Sequence, residues 1–439
     1  MFRHFLHATC GALGRTRLFA LLLIAPAALA AQQAQAAPRA TPRTALTLAD
    51  VVARLERTNP MLAASRAAAQ AARARIGPAT ALPDPRAQLA VMNRMLPNLS
   101  TMSVLAMDQL TVMQMLPLAT RRPAARAAEA RARTAESGID AQRFAVRRDA
   151  ASMLADWWQA DAARGVMDET RTLLRESAAA ADAMYGAGQA RQADVLRAQA
   201  ELTRMTAEWL TMDGMRRTAA AGLSAMLDEP LDADALHPEL PAGPAAPMAV
   251  SSTVASPDVV TAHHSVDAAI AMEAVARRER WPELDVGLQL GRRPGSSEQM
   301  VSLMAGASIP IFARQRQLQM IEESSAMRRM VEAEARSAMA ENRAGVSEAL
   351  AALERSRTLQ RLYATTLLPQ LHAVWESASS AYRAGTGPID VALDALMAEN
   401  VARIAHITAR ADEARALARI ERLTGRAWFG VPLMPERHP

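Results

Sequence analysis

Three carboxylates and a set of thioethers are the residues of this chain whose type and spacing could do chemistry. Asp194, Asp390 and Asp394 each stand early in a helical stretch, just beyond a glycine-containing turn. In that position a carboxylate caps its helix and complements the macrodipole, worth about 0.3 to 1 kcal/mol each. Arrayed around a symmetry axis, the same groups would form a ring that draws cations to a constriction. The chain also holds 25 methionines, and Met92, Met95, Met102, Met107, Met113 and Met115 gather in one stretch. Methionine is an adaptable apolar filler, but its thioether also binds soft Cu(I) and Ag(I). No other set has catalytic or metal-binding spacing. His263-His264 is an adjacent pair rather than an i, i+4 pair, which suits an exposed loop better than a metal site. Without a Gly-rich phosphate loop or a cysteine cluster, the expectation is a protein that is not an enzyme and carries no cofactor.

The carboxylates belong to two related turns. Residues 184–201, MYGAGQARQADVLRAQAE, and residues 381–400, AYRAGTGPIDVALDALMAEN, each follow a long Ala/Arg-rich helical pattern and open a second one. Tyr185 and Gly188 recur as Tyr382 and Gly385, at an offset of 382 − 185 = 197. Leu116-Pro117-Leu118 with Arg121 recurs as Ile309-Pro310-Ile311 with Arg314, at an offset of 310 − 117 = 193. Two landmarks agreeing on nearly one period indicate a duplicated unit. The expected division is a targeting segment at 1–30, a first repeat at 31–228, a Pro/Ala-rich linker at 229–260, a second repeat at 261–425 and a tail at 426–439.

Within the first repeat, 47–76 reads as helical with a cap at Thr47 and Asn59-Pro60 inside it, followed by short segments at 86–93 and 107–115. The pattern at 121–184 has no proline after Pro123. At a rise of about 1.5 Å per residue it would extend about 96 Å. Residues 194–227 form its return. In the second repeat, Leu284, Val286, Leu288 and Leu290 alternate with Asp285, Gly287, Gln289 and Gly291. After the turn at 294–297, Val301, Leu303, Ala305, Ala307 and Ile309 repeat the alternation, the period of strands with one apolar and one polar face. Trp281 and Phe312 bracket this hairpin, where a membrane strand carries interfacial aromatics. A soluble hairpin covered by helices would show the same alternation. Residues 316–384 form the second long helical pattern, which Pro369 should kink, and 390–423 its return. In the first hairpin Met107, Met113 and Met115 fall on the face of Gln109 and Thr111, opposite Leu110 and Val112.

Composition narrows the class. Aromatics are only 3% of 439 residues, low for a globular enzyme, and all 50 basic residues are arginine. Arginine alternates with acids along the helices, as in Arg126, Glu129, Arg131 and Glu136, the pattern of a solvated face rather than of a nucleic-acid binder. Arg15 and Arg17, the apolar run at 18–29 and Ala28-Leu29-Ala30 read as an export signal cleaved after residue 30 or a little later. The single cysteine, Cys10, would leave with it. No later run is apolar enough for a spanning helix, so membrane entry would require a closed β-barrel. Four strands cannot close one; two chains would supply eight, whose side chains fill the interior, and three would supply twelve and leave an open passage.

With these features in order, the chain resembles the TolC-like outer-membrane efflux channels. The resemblance covers about 47–425. It rests on the duplicated plan, the Tyr-x-x-Gly turns, the apolar-Pro-apolar entries to the long helices, Asn59-Pro60, Trp281-Pro282-Glu283-Leu284 and Leu367-Leu368-Pro369-Gln370. It implies a mostly α fold with a small β part: long helical hairpins forming a periplasmic tunnel, and four strands per chain in a trimeric 12-stranded outer-membrane barrel. It further implies a homotrimer in outer-membrane lipid, a periplasmic adaptor protein, an inner-membrane transporter of RND type, and no nucleic-acid partner. By resemblance, Asp194 ties the hairpins together, Asp394 belongs to a lumenal aspartate ring, and Tyr382 helps hold a closed tip. The chain departs from the pattern at Leu118-Ala119-Thr120, where a glycine and lysine often stand, and at Gly387, where some members carry an arginine. The chain resembles the CusC-like copper/silver branch more closely than the drug channels, which supports the metal reading of the methionines. Channels for drug efflux or for protein secretion, and a pore-less periplasmic coiled-coil scaffold, are the alternatives.

Overall fold

Four strands and two long helical hairpins organise the chain in a computed structural model, which describes residues 44–94, 105–241, 243 and 256–427. These fall within the compact unit Pro42–Pro439. The export signal, Cys10, Met95, Met102 and most of the tail lie outside the described residues.

The chain enters through strand β1 (Thr44–Thr47) and helix α1 (Leu48–Thr58). Thr47 and Asp50 form a reciprocal capping box, and the hydrogen bonds they exchange hold the Asp50 carboxyl below its ordinary range. Asn59 then caps α2 (Pro60–Ala74) by accepting from Leu62 N–H at 3.0 Å, so the expected helix at 47–76 is two, with a short α3 (Ile76–Thr80) after them. Asn59 also donates to Met226 O at 2.7 Å, which fixes the break against a distant part of the chain.

β2 (Arg86–Met92) and β3 (Met107–Leu116) lead into α4 (Arg121–Gly186), a helix of 66 residues. That length extends about 99 Å. α5 (Gln192–Leu227) returns alongside it. The second half gives α6 (Pro257–Arg278), β5 (Glu283–Arg292), β6 (Gln299–Ser308), α7 (Gln317–Leu362), α8 (Leu368–Arg383) and α9 (Ile389–Thr424). Between α7 and α8, residues Tyr363–Leu367 make a π-helical turn. Pro369 lies just past it: a ring that lacks an N–H and crowds the preceding turn is met by a wider turn, and the backbone stays helical through Leu368.

The stretch expected to be a linker is partly structured. β4 (Leu236–Glu239) pairs in parallel with β1, joining this stretch to the start of the first repeat. Sequence reasoning missed this pair because strands this short, one of them containing Pro238, carry no readable period.

Small side chains set the packing. α4 contacts α5, α6 and α9, and its buried positions include Ala127, Ala130, Ala150, Ala155, Ala160 and Ala163. One apolar cluster joins Val51, Leu55, Leu154, Trp157 and Leu223 from α1, α4 and α5. The halves are also joined by Arg147, whose guanidinium donates to Glu421 at 2.8 and 2.7 Å with both side chains 5% exposed. Losing either partner would leave a buried charge, at a cost of about 3 to 5 kcal/mol.

Candidate functional sites: the strand sheet and the hairpin tips

β2, β3, β5 and β6 form one antiparallel sheet in that order, so hairpins from the two repeats meet at β3 and β5. Register stacks the alternation seen in sequence. Leu89, Leu110, Leu290 and Val301 make one cross-strand row, and Ala87, Val112, Leu288 and Leu303 the next. The opposite face carries Gln88, Thr111, Gln289 and Ser302 in one row and Asp285 and Gly306 in another.

Exposure runs opposite to that of a water-soluble sheet. Leu89 is 73% exposed, Leu303 85% and Val301 69%, whereas Gly287 and Gly291 on the polar face are buried. β2 and β6 are the sheet's edges among the described residues. A broad apolar face with unpaired edges has no stable place in water. Ile309, Ile311, Phe312 and Trp281, all exposed, border it at the helix side. No helix among the described residues is long and apolar enough to cross a membrane; the strands are the apolar surface.

The tips lie at the other end of α4. In the first, Gly188 N–H donates to Tyr185 O at 2.9 Å and Gln189 N–H to Met184 O at 2.8 Å; in the second, Gly385 N–H donates to Tyr382 O at 2.9 Å and Thr386 N–H to Ala381 O at 3.0 Å. The bonds repeat residue for residue between the two copies. Gly188 and Gly385, both at positive φ, supply the left-handed residue that ends each helix.

The side chains diverge. Tyr382 is 7% exposed and packs among Leu174, Val195, Ile389 and Leu393, with no hydrogen-bond partner for its Oη; Tyr185 is 47% exposed. Burial, and then the charge of Asp194, push the Tyr382 phenol above its usual range. Asp194 itself accepts from Arg191 N–H at 3.1 Å, which caps its own helix. The tie is Arg197, which sequence reasoning missed: its guanidinium reaches Asp390 at 3.1 Å and Asp394 at 3.4 Å. The separation of Arg197 from Asp394 equals the spacing of the tips, a signal the repeat could have supplied. All three side chains are largely exposed, so the pairing is worth at most about 1 kcal/mol.

The structure separates the three methionines singled out in β3. Met113 opposes Gly287, Met107 lies beside Gly291, and Met115 opposes Asp285. No group of three or more His, Cys, Asp or Glu among the described residues is placed to hold a metal ion.

Comparison with known proteins agrees with this geometry. Residues 250–426 match the outer membrane efflux protein family. Among solved structures, the outer-membrane channel OprN is similar with a TM-score of 0.77 and 19% identity, over 87% of this chain and 90% of that one. The Campylobacter jejuni CmeC outer membrane channel gives 0.75 and 15%, over 86% and 85%. CusC, described for its transmembrane channel formation, gives 0.73 and 15%, over 86% and 91%. Among curated proteins none matches the chain in sequence. The fold is similar to that of these outer-membrane channels, mostly helical with a small strand part. The fold is no nearer to CusC than to OprN.

Proposed function

We propose that the chain is the outer-membrane channel of a tripartite efflux system. The observation that carries this reading is the inverted sheet: Leu and Val on one face, widely exposed, Gln, Thr, Ser and Gly on the other, and open edges at β2 and β6. Three copies joined edge to edge give a 12-stranded barrel with its apolar band in lipid and its polar face around water. The long hairpins then continue the passage through the periplasm toward an adaptor protein and an inner-membrane transporter of RND type. At the far end, Asp390 and Asp394 with Arg197 line a narrow mouth that favours cations while the tips are closed, and Tyr382 anchors the second tip in the first. Leu288→Arg places a charge in lipid and costs about 2 to 4 kcal/mol near the midplane, whereas Gln289→Arg faces the lumen and is tolerated. Heat-modifiable trimer on gels is the readout, and equal loss in both variants sinks the barrel.

Soft monovalent metal ions, Cu(I) or Ag(I), are the cargo class favoured by the methionines on the polar face. Cells lacking the gene are then sensitised to copper or silver more than to dyes and detergents. Sensitivity confined to organic compounds assigns the same channel to drug efflux, and a secretion defect assigns it to protein export.

A further inference from the structure

The methionines of the sheet are not distributed as filler. Met92 on β2, Met107, Met113 and Met115 on β3, and Met300 and Met304 on β6 all fall on the polar face, and the apolar face has none. Lipid-facing or packing methionines would be expected among the leucines and valines. Here they stand beside Gln109, Thr111, Gln289 and Ser302.

Two glycines of β5 leave open space beside four of them. Gly287 lies between Met113 and Met304 in a single row. Its two neighbouring strands are about 10 Å apart, a gap that two long side chains bridge only over a bare residue. A Cβ on Gly287 would sit 3.2 Å from Met113 Cγ and 3.3 Å from Met304 Cε, so both side chains lean into the space a side chain would take. Further along β5, Gly291 is paired with Gln109 on β3 and Met300 on β6, and Met107 reaches it diagonally. A Cβ on Gly291 would sit 3.4 Å from Met107 Sδ and 3.9 Å from Met300 Cβ. Gln109 Nε2 donates to Met107 Sδ at 2.8 Å, so this sulfur already faces a polar partner.

We propose that Met113 with Met304 over Gly287, and Met107 with Met300 over Gly291, are two thioether stations for a soft monovalent cation, Cu(I) or Ag(I), on the inner wall of the channel. The proposal rests on the reading of the sheet as a channel wall. Thioethers carry no charge and release no proton on binding, so each station holds the ion weakly and independently of pH. Weak sites in sequence let an ion enter and leave, as conduction requires. Met115, opposite Asp285 and outside both pairs, takes no part.

Silver nitrate titrated into the purified full-length protein in detergent, with bound metal measured after equilibrium dialysis, tests this. The expected result is about two Ag(I) per chain, one per station. Met113→Leu with Met304→Leu should leave about one, and Met115→Leu should leave the count unchanged. Gly287→Val keeps every methionine but fills the gap between the pair, so it should lose the same ion. Equal uptake by all of these variants overturns the proposal, as does uptake that vanishes when pH falls through the carboxylate range, because acids would then be the ligands. Single-channel conductance of the same preparations in potassium nitrate reports separately on the channel: its absence sinks the channel reading, while normal conductance with unaltered Ag(I) uptake sinks only the stations.

Discussion

The two hairpin tips share one backbone and differ in what their side chains do with it. Each ends a long helix on a left-handed glycine and closes the turn with the same hydrogen bonds. Yet Tyr382 is buried and Tyr185 stands in the open, and Arg197 in one copy faces its own counterpart, Asp394, in the other. A turn is specified locally, by residues that bond within a few positions of one another. Burial is specified by neighbours, and the second tip packs against the first from a side that the first does not have. Duplication thus preserves the turn, while the contact between the copies drives their side chains apart.

The largest expected effect breaks that contact. Tyr382→Ala removes an aromatic ring from the cluster of Leu174, Ile389 and Leu393 and should cost about 3 to 5 kcal/mol. Tyr185→Ala should change stability by no more than about 0.5 kcal/mol. Tyr382→Phe should be neutral or slightly stabilising, since Oη has no partner to lose. Urea unfolding followed by helical circular dichroism compares the three, and equal costs for the two alanine variants would remove the asymmetry.

A smaller effect should be the same in both tips. Gly188→Ala and Gly385→Ala each force a Cβ into the left-handed region, at about 1 to 2 kcal/mol. Neither added Cβ would meet an atom within 4 Å, so the cost is backbone strain alone. Asparagine, which tolerates that region, should recover part of it at either site. Unequal costs, measured by the same unfolding midpoints, would show that the turns are not equivalent.

What the sequence made legible follows the same division. The alternation at 284–290 and 301–309 located β5 and β6 within two residues, because every second position there is Leu, Val, Ala or Ile. The Tyr-x-x-Gly pattern located the turns, since it encodes its own hydrogen bonds. The break at Asn59 was blurred because the helical pattern of 48–58 resumes at once in the Ala-rich run after it. The pairing of β1 with β4 and the placing of Met113 and Met304 on either side of Gly287 were not legible, because each joins residues far apart in sequence through a register that no local pattern records, whereas the partner of Arg197 could be read from the repeat spacing. Gly287 illustrates the limit: in sequence it is one small residue in an alternating strand, and only the two flanking strands give it something to make room for.

The π turn at Tyr363–Leu367 resolves a mismatch between the two repeat spacings. The offset is 193 for the prolines and 197 for the tips, so the second half fits four more positions between the same two landmarks. Four residues added to an unbroken α-helix would lengthen it by about 6 Å and swing its end by about 40°. Three of them go into the turns before the helix, 311–316 against 118–120 in the first half. The fourth falls in the helical run, 46, 5 and 16 residues against 66, and that run alone contains the wider turn. The interruption works as a vernier: two arms of unequal length are brought level where they must end side by side.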